Sequence, residues 1–138
     1  MEGRIAQITL VVTDQARSLA FFTEQVGFEK KTDLSPPGGS RWVTVGPRGQ
    51  ELELALWQVG SAVDPAQQAW SKGWAPGKAP PIVLRVPDVA QTHRELSARG
   101  VEFPQPPKEY PWGTAATFRD PDGNLFSISE PPRAWPKP

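Results

Sequence analysis

The chain repeats itself once, and this internal repeat restricts its fold more than any other feature. The segment ITLVVTDQARSLAFFTEQVGFE (residues 8–29) has a counterpart in IVLRVPDVAQTHRELSARGVEF (residues 82–103). Four matched positions lie 74 residues apart: Ile8, Leu10, Val12 and Asp14 correspond to Ile82, Leu84, Val86 and Asp88. A chain that presents one pattern twice is expected to fold as two related modules.

Each copy predicts a strand followed by a helix. Apolar residues in steps of two have the period of a strand with one buried face. Asp14 and Asp88 are suited to cap a helix of about eleven residues, which Gly27 and Gly100 would end in the left-handed conformation. The helices carry apolar stripes that should cover the strand face. The stripes comprise Leu19, Phe22 and Val26 in the first copy and Val89, Thr92 and Leu96 in the second.

Strand-like segments follow each helix: RWVTV and ELELALW in the first copy, TAATF and NLFSIS in the second. The repeated unit is therefore a strand, a helix and two or three antiparallel strands. Between the copies, we expect a short helix capped by Asp64, opened by Pro65 and stopped near Gly73. Trp70 and Trp74 of this linker should pack on the sheet, at a cavity mouth or on a second subunit.

Composition narrows the class of partner. The 138 residues suffice for one domain, or for two small halves sharing a core. Lysine plus arginine equals aspartate plus glutamate at 15 each, so no net charge recruits nucleic acid or an anionic membrane. There is no cysteine, no signal-peptide pattern at the start and no apolar run near the roughly 20 residues of a membrane helix. We expect a cytoplasmic protein whose partner is a small molecule or another protein.

The repeat, together with the turn DPDGN (residues 120–124) inside FRDPDGNLFSISEP, resembles the vicinal oxygen chelate superfamily. This superfamily contains glyoxalase I, the bleomycin and fosfomycin resistance proteins and the extradiol dioxygenases. The resemblance implies an α+β fold in which two tandem βαβββ modules form a curled eight-stranded mixed sheet around a cavity, with the helices outside. It also implies a homodimer. The expected boundaries are module one 4–58, linker 59–79, module two 80–131 and tail 132–138.

Metal-dependent members of that superfamily place ligands, commonly histidine and glutamate, on the first and last strand of each module. The matching positions here hold Gln7, Glu53, Pro81 and Ser127, the last being Glu53 plus the 74-residue offset. One carboxylate, one amide, one hydroxyl and a proline do not satisfy a transition metal, and calcium or magnesium would lack anionic ligands. The lone His93 lies in mid-helix, where packing is its expected role. We therefore expect no metal and no other cofactor.

Alternation identifies the side chains that should face the cavity. With the aromatic residues of neighbouring segments, the candidate ligand-binding residues are Gln7, Thr9, Trp42, Glu53, Trp57, Arg85, Tyr110, Trp112 and Ser127. Arg85 would bind an anionic ligand group or, alternatively, pair with Glu51 or Glu53. Glu53 is a weak candidate for a catalytic base, and pairing with an arginine is the alternative. Each aromatic residue could equally be part of the core, although EYPWG (residues 109–113) has the pattern of a loop.

Three functions remain open from the sequence. The first is metal-independent binding of a small organic molecule, of the sequestration or resistance type. The second is a lyase, isomerase or dioxygenase of the glyoxalase type, either with an atypical metal set or with Glu53 as a base. The third is a module that binds another protein and fills its cavity with its own tryptophans.

Overall fold

Each half of the repeat forms a four-stranded mixed sheet in the computed structural model, which describes residues 1–131. The chain divides into two compact units, Met1–Lys78 and a second that begins at Ala79. The expected tail 132–138 lies outside the described residues. None of the helices within residues 1–131 has the length and apolar content that a membrane crossing requires.

The first unit contains strands in the order β1-β4-β3-β2. Its first and last strands are parallel, and the other neighbours are antiparallel. The elements are β1 (Gln7–Val12), α1 (Gln15–Ala20) continued by a π-helical segment (Phe21–Val26), β2 (Glu29–Leu34), β3 (Trp42–Gly46), β4 (Glu53–Gln58) and α2 (Pro65–Trp70).

The second unit has the same topology, in the order β5-β8-β7-β6. Again the first strand is parallel to the last. The elements are β5 (Ile82–Arg85), α3 (Val89–Ala98), β6 (Glu102–Tyr110), β7 (Gly113–Arg119) and β8 (Leu125–Glu130). Both units are therefore βαβββ modules, and the predicted α+β fold is confirmed, with the eight strands arranged as two four-stranded sheets.

The predicted caps of the two repeated helices both form. The Asp14 carboxylate accepts a hydrogen bond from the Arg17 amide at 3.1 Å, and Asp88 accepts one from the Gln91 amide at 3.0 Å. The first helix ends at Gly27, whose φ of 89° is left-handed. In the second unit Val89 and Leu96 are buried as their stripe predicts. His93 packs edge-on against the Phe103 ring, with 4.6 Å between ring centroids, which is the expected packing role.

The first helix departs from its predicted stripe. Phe21 and Phe22 are both buried, whereas Leu19 and Val26 are half-buried. The cause is the π-helical segment Phe21–Val26, because a π turn holds more residues than an α turn and rotates the following side chains. Two consecutive phenylalanines can therefore both pack toward the sheet.

Two strands were not predicted as such: β2 and β6. Strand β6 contains Pro104, Pro106 and Pro107, which in the sequence are typical of a turn. It lies at the edge of its sheet, where a residue without an amide hydrogen is tolerated. The expected loop EYPWG is correspondingly shorter, since Tyr110 ends β6 and only Pro111 and Trp112 form the turn to β7.

The turn at residues 120–124 is organised by one buried carboxylate. Asp120 accepts hydrogen bonds from the backbone amides of Asp122 and Asn124, at 2.9 and 2.8 Å, and from the Asn124 side chain at 2.9 Å. Its side chain is almost completely buried. Burial raises the pKa of Asp120, and the hydrogen bonds from Asn124 and Asp122 partly oppose this. The DPDGN motif, on which the family resemblance most depends, thus stabilises the turn that connects β7 to β8.

Candidate functional site

One face of the first sheet is covered by its helix and the other is not. Leu10 and Val12 of β1 are buried on the helix side. The opposite face of β1 carries Gln7, Thr9 and Val11. Register places them level with Glu53, Ala55 and Trp57 of β4, respectively. We call this surface the open face of the first sheet, and alternation along the strands assigns to it all five candidate residues of the first unit: Gln7, Thr9, Trp42, Glu53 and Trp57.

A row of polar side chains crosses the open face at Glu53. The Glu53 Oε1 atom accepts hydrogen bonds from Thr44 Oγ1 at 2.7 Å and Thr32 Oγ1 at 3.4 Å. Its Oε2 atom accepts one from Gln7 Nε2 at 3.4 Å. The row thus takes one residue from each of the four strands. Thr44 is fully buried and Glu53 is half-buried, so the carboxylate is held in place by neutral donors.

Within the first unit, no arginine pairs with Glu53. The neighbouring Glu51 instead pairs with Arg4 at 2.6 Å, and both of these side chains are largely exposed. Thr32 and Thr44 were not predicted as site residues. Thr32 lies on β2, which the sequence does not predict, and Thr44 lies on a predicted strand whose pairing partners the sequence does not specify. Their convergence on Glu53 therefore emerges only from the sheet register.

The other end of the open face is aromatic. The Trp57 ring contacts two rings from the linker, with centroid distances of 5.5 Å to Trp70 and 5.6 Å to Trp74. Trp70 and Trp74 contact each other at 5.1 Å. Of the three predicted places for the linker tryptophans, the first is therefore observed, since they pack on a strand of the first sheet. Trp70 remains 52% exposed and Trp74 38% exposed.

Helix α2 is what brings these rings to the sheet. The Asp64 carboxylate accepts hydrogen bonds from the Ala66 and Gln67 amides at 2.6 and 3.4 Å, and Pro65 occupies the first helical position, as predicted. The helix buries none of its own residues. Trp70, its last residue, and Trp74, which follows the helix, contact Trp57 of β4 and so link this segment to the first sheet.

Two cavities are lined in part by Trp57. One, of about 310 Å³, is lined by Val11, Trp57 and Trp74 among others. The second, of about 330 Å³, is lined by Trp42 and Trp57 together with Arg41, Asp64 and Gln67. Both reach the lower end of the volumes that small-molecule sites occupy. The wall formed by Trp57, Trp70 and Trp74, which we call the tryptophan wall, therefore leaves room for a ligand.

The second sheet also has an open face, and it carries the remaining candidates. Val83 and Arg85 of β5 are exposed, and Val83 is level with Ser127 of β8. Arg85 forms no ion pair with another described residue of the second unit. Register continues from Ser127 through Thr117 of β7 to Gln105 of β6, so this row offers hydroxyl and amide groups and no carboxylate.

Tyr110 and Trp112 form an aromatic pair at the β6–β7 hairpin. Their rings are stacked with centroids 4.9 Å apart, and the Lys108 ammonium lies 5.3 Å from the Tyr110 ring centroid. The Tyr110 hydroxyl accepts a hydrogen bond from Gln105. An open groove of about 840 Å³ beside the hairpin is lined by Lys108, Tyr110 and Glu130, among others. Its walls contain one aromatic ring, whereas each of the two cavities beside Trp57 is lined by two tryptophans.

The strand register corrects the repeat at its last strand. Residue 8 pairs with residue 54 in the first unit, and residue 82 pairs with residue 126 in the second. The separation is 46 in one case and 44 in the other, so the 74-residue offset of the first strands becomes 72 at the last. With an offset of 72, the residue of the second unit that is equivalent to Glu53 is Leu125, and the residue equivalent to Ala55 is Ser127. The prediction that Ser127 repeats Glu53 is therefore wrong by two residues.

The metal-ligand positions do not form a set that fits a divalent ion. In the first unit, Gln7 and Glu53 are level neighbours and bond to each other, providing one carboxylate and one amide. In the second unit, Pro81 precedes β5, and neither Ser127 nor Leu125 supplies a charged donor. Within residues 1–131 no group of three or more histidine, cysteine, aspartate or glutamate side chains is arranged to hold a metal.

These features define a protein with two βαβββ modules, and one family model matches almost the whole chain. The model for the Glyoxalase/Bleomycin resistance protein/Dioxygenase superfamily matches residues 4–128. The chain therefore belongs to this superfamily, as its repeat and its DPDGN turn predict.

Particular relatives carry the comparison further. The uncharacterised protein YetH of Bacillus subtilis (strain 168) is 32% identical over 130 residues, covering 94% of this chain and 100% of that protein. The solved structure of UcmS2 is 37% identical, with a TM-score of 0.80 over 94% of this chain and 98% of its own. TnmS3, described as an antibiotic binding protein from Streptomyces sp. CB03234, is 31% identical, with a TM-score of 0.79 and coverage of 95% and 98%.

Proposed function

We propose that this protein binds a small organic molecule without a metal, as a sequestration or resistance protein, and that the open face of the first sheet contributes the principal contacts. The observation that carries the proposal is the tryptophan wall beside two cavities and a fixed carboxylate. Aromatic rings in concave sites supply much of the binding energy for flat ligands, and a few fixed polar groups orient them.

The comparison with TnmS3 supports a binding role. That protein is described as binding an antibiotic, and it shares 31% of its residues and nearly its whole length with this chain. Superfamily membership by itself selects no activity, since enzymes and binding proteins share the fold. The proposal therefore rests on the residues of the open face, and the relative adds the class of ligand to consider.

The chemistry around Glu53 favours binding over catalysis. A carboxylate that acts as a general base in a lyase or isomerase is usually accompanied by an acid or a metal that stabilises the charge developing on the substrate. The neighbours that contact Glu53 are two threonine hydroxyls and one glutamine amide, none of which titrates near neutral pH. The donor set at the metal positions likewise offers no route to the Lewis-acid chemistry of a glyoxalase-type enzyme.

We also propose that the protein is a homodimer, as the family resemblance implies. Trp70, Trp74 and Trp112 leave substantial apolar area exposed on the isolated chain, which a second subunit would reduce. Light scattering coupled to gel filtration at micromolar concentration should give twice the mass of the chain. A mass equal to one chain would contradict this part of the proposal.

A fluorescence titration tests the location of the site. We expect N-pentyl dansylamide, a neutral and flat probe, to bind the wild-type protein saturably with a blue shift of dansyl emission. Trp57→Ala should weaken binding at least about tenfold, since it removes the ring that touches both Trp70 and Trp74. Trp57→Phe, which keeps an aromatic face, should lose less. Equal affinity of wild type and Trp57→Ala would contradict a site at the tryptophan wall.

A further inference from the structure

The open face of the first sheet is polar at one end and aromatic at the other. Glu53 lies at the first end and Trp57 at the second, on the same strand and four residues apart. At about 3.3 Å per residue, this places their backbones about 13 Å apart. Between them lie the small side chains of Thr9, which is exposed, and of Ala55 and Thr44, which are buried.

We propose that the ligand of this face is an amphipathic aromatic amine, whose ring packs against Trp57 and whose protonated amino group binds the Glu53 carboxylate. This inference rests on the proposed function and adds the chemical class of the ligand to it. The following observations concern the capacity, charge and position of Glu53.

Glu53 has remaining capacity to accept a hydrogen bond. A carboxylate offers about four lone-pair sites. Two hydrogen bonds reach Oε1, from Thr44 and Thr32, and one reaches Oε2, from Gln7. The fourth site, on Oε2, is available to a ligand that approaches over the open face.

No cation neutralises Glu53 among the described residues of its unit. Three arginines of this unit are already paired with other carboxylates: Arg4 with Glu51, Arg41 with Asp33 and Arg48 with Glu29. The three groups that hold Glu53 are neutral. A protonated amine would therefore supply the one interaction that this carboxylate lacks, and a carboxylate or sulfonate on the ligand would be repelled.

The position of Glu53 is fixed before the ligand arrives. Its tightest partner, Thr44, is fully buried in the sheet, and the donors come from the three other strands of that sheet. A preorganised acceptor loses little side-chain entropy on binding. Such an acceptor is expected to discriminate strongly between ligands that differ only in the charge of one end.

Three dansyl probes of similar length test this inference. Dansylcadaverine ends in an ammonium group, N-pentyl dansylamide in a methyl group, and N-dansyl-6-aminohexanoate in a carboxylate. We expect the ammonium probe to bind wild-type protein at least about tenfold more tightly than the pentyl probe, the effect of one charge-assisted hydrogen bond. The carboxylate probe should bind more weakly than the pentyl probe.

Two matched variants assign the effect to one carboxylate. Glu53→Gln should bring the ammonium probe to within about threefold of the pentyl probe, because the amide removes the charge and keeps an oxygen for Thr44. Glu51→Gln removes a glutamate two residues away on the chain, which is paired with Arg4, and should leave the preference unchanged. The wild-type probe series remains a test even if Glu53→Gln is poorly folded.

The outcomes separate the inference from the proposed function. Equal affinity of the ammonium and carboxylate probes for wild-type protein would overturn the inference and leave the binding function intact. Loss of the preference in Glu51→Gln, with its retention in Glu53→Gln, would also overturn it. Failure of all three probes to bind would overturn both.

Discussion

Asp120 is a buried carboxylate whose role is structural. Three hydrogen bonds converge on it, and two of them come from the backbone of the turn that it closes. The Asn124 donors are themselves buried, so they have no access to water if the carboxylate is removed. An unsatisfied buried donor costs about 1–3 kcal/mol.

We therefore expect Asp120→Ala to lower the free energy of unfolding by about 2–4 kcal/mol, since more than one donor is left unpaired. Asp120→Asn keeps one oxygen for the two backbone amides and should lose less. Urea denaturation followed by circular dichroism measures both variants. An Asp120→Ala protein as stable as the wild type would show that the turn is held by other contacts.

Asp33 is a second carboxylate with a shifted pKa. Arg41 donates two hydrogen bonds to it from Nε and Nη2, both at 2.9 Å. The hydrogen bond from Arg41, opposed by desolvation and assisted by the charge of the guanidinium, lowers the pKa of Asp33 from 3.8 to about 2. The pair joins β2 to β3 beside the cavity that Arg41 lines.

Because the folded-state pKa is lowered, the stabilisation from Asp33 is complete above the unfolded value of 3.8 and is lost as the pH falls through about 2. We expect the wild-type protein to lose more stability than Asp33→Asn between pH 5 and pH 2. Urea denaturation at several pH values in this window makes the comparison. Parallel pH profiles for the two proteins would contradict the assigned role of the Asp33–Arg41 pair.

At the scale of single residues, the sequence predicts which side chains of one strand share a face of the sheet. It does not predict which residues of the neighbouring strands form hydrogen bonds with them. Alternation identifies Glu53 and Trp57 as residues of one face because both lie on one strand. The donors to Glu53 come from β1, β2 and β3, and their alignment depends on the β-bulge between Lys30 and Thr32 in β2. Such a register shift has no visible sequence pattern, so Thr32 and Thr44 could not be found in advance.

Two helices in the chain begin with the same type of cap but differ in what they bury. Asp64 caps α2, which buries none of its residues, whereas Asp88 caps α3, which begins at the buried Val89. Replacing the capping aspartate by alanine in each helix therefore distinguishes a loss of local stability in α2 from a loss of global stability through α3. A lost cap costs about 1 kcal/mol in either case.

We expect Asp64→Ala to loosen α2 locally, with increased acrylamide quenching of tryptophan fluorescence and little change in the global unfolding midpoint. Asp88→Ala should lower the free energy of global unfolding by about 1 kcal/mol with little change in quenching. A large drop in global stability for Asp64→Ala would show that the linker helix is part of the cooperative core.

At the scale of elements, the sequence predicts those whose local pattern agrees with their environment. The caps, the first strand of each copy and the helix at Pro65 follow from such patterns. Strand β6 was missed because its three prolines are tolerated only at a sheet edge, and edge position is a property of the assembled sheet. The π-helical segment was missed because Leu19, Phe22 and Val26 have the spacing of an α-helical stripe, which gives no sign that Phe21 is buried as well.

For the whole molecule, the repeat predicts the fold. The function depends on a few positions at which the two modules differ. The two modules share topology, yet their last strands differ by two residues in register, and their open faces differ in charge. Glu53 in the first has Leu125 as its counterpart by register in the second. The family resemblance implies metal ligands at equivalent positions of both modules, but the second module has no charged side chain at these positions. For this reason we propose binding without a metal.

The most direct test of this central claim is one titration of N-pentyl dansylamide into protein purified without added metal, before and after exhaustive treatment with EDTA, with the metal content of both samples measured. Metal-independent binding predicts less than about a tenth of an equivalent of transition metal in the untreated protein and the same dissociation constant in both titrations. A full equivalent of nickel, zinc, manganese or iron, with binding abolished on its removal and restored on its return, would contradict the claim.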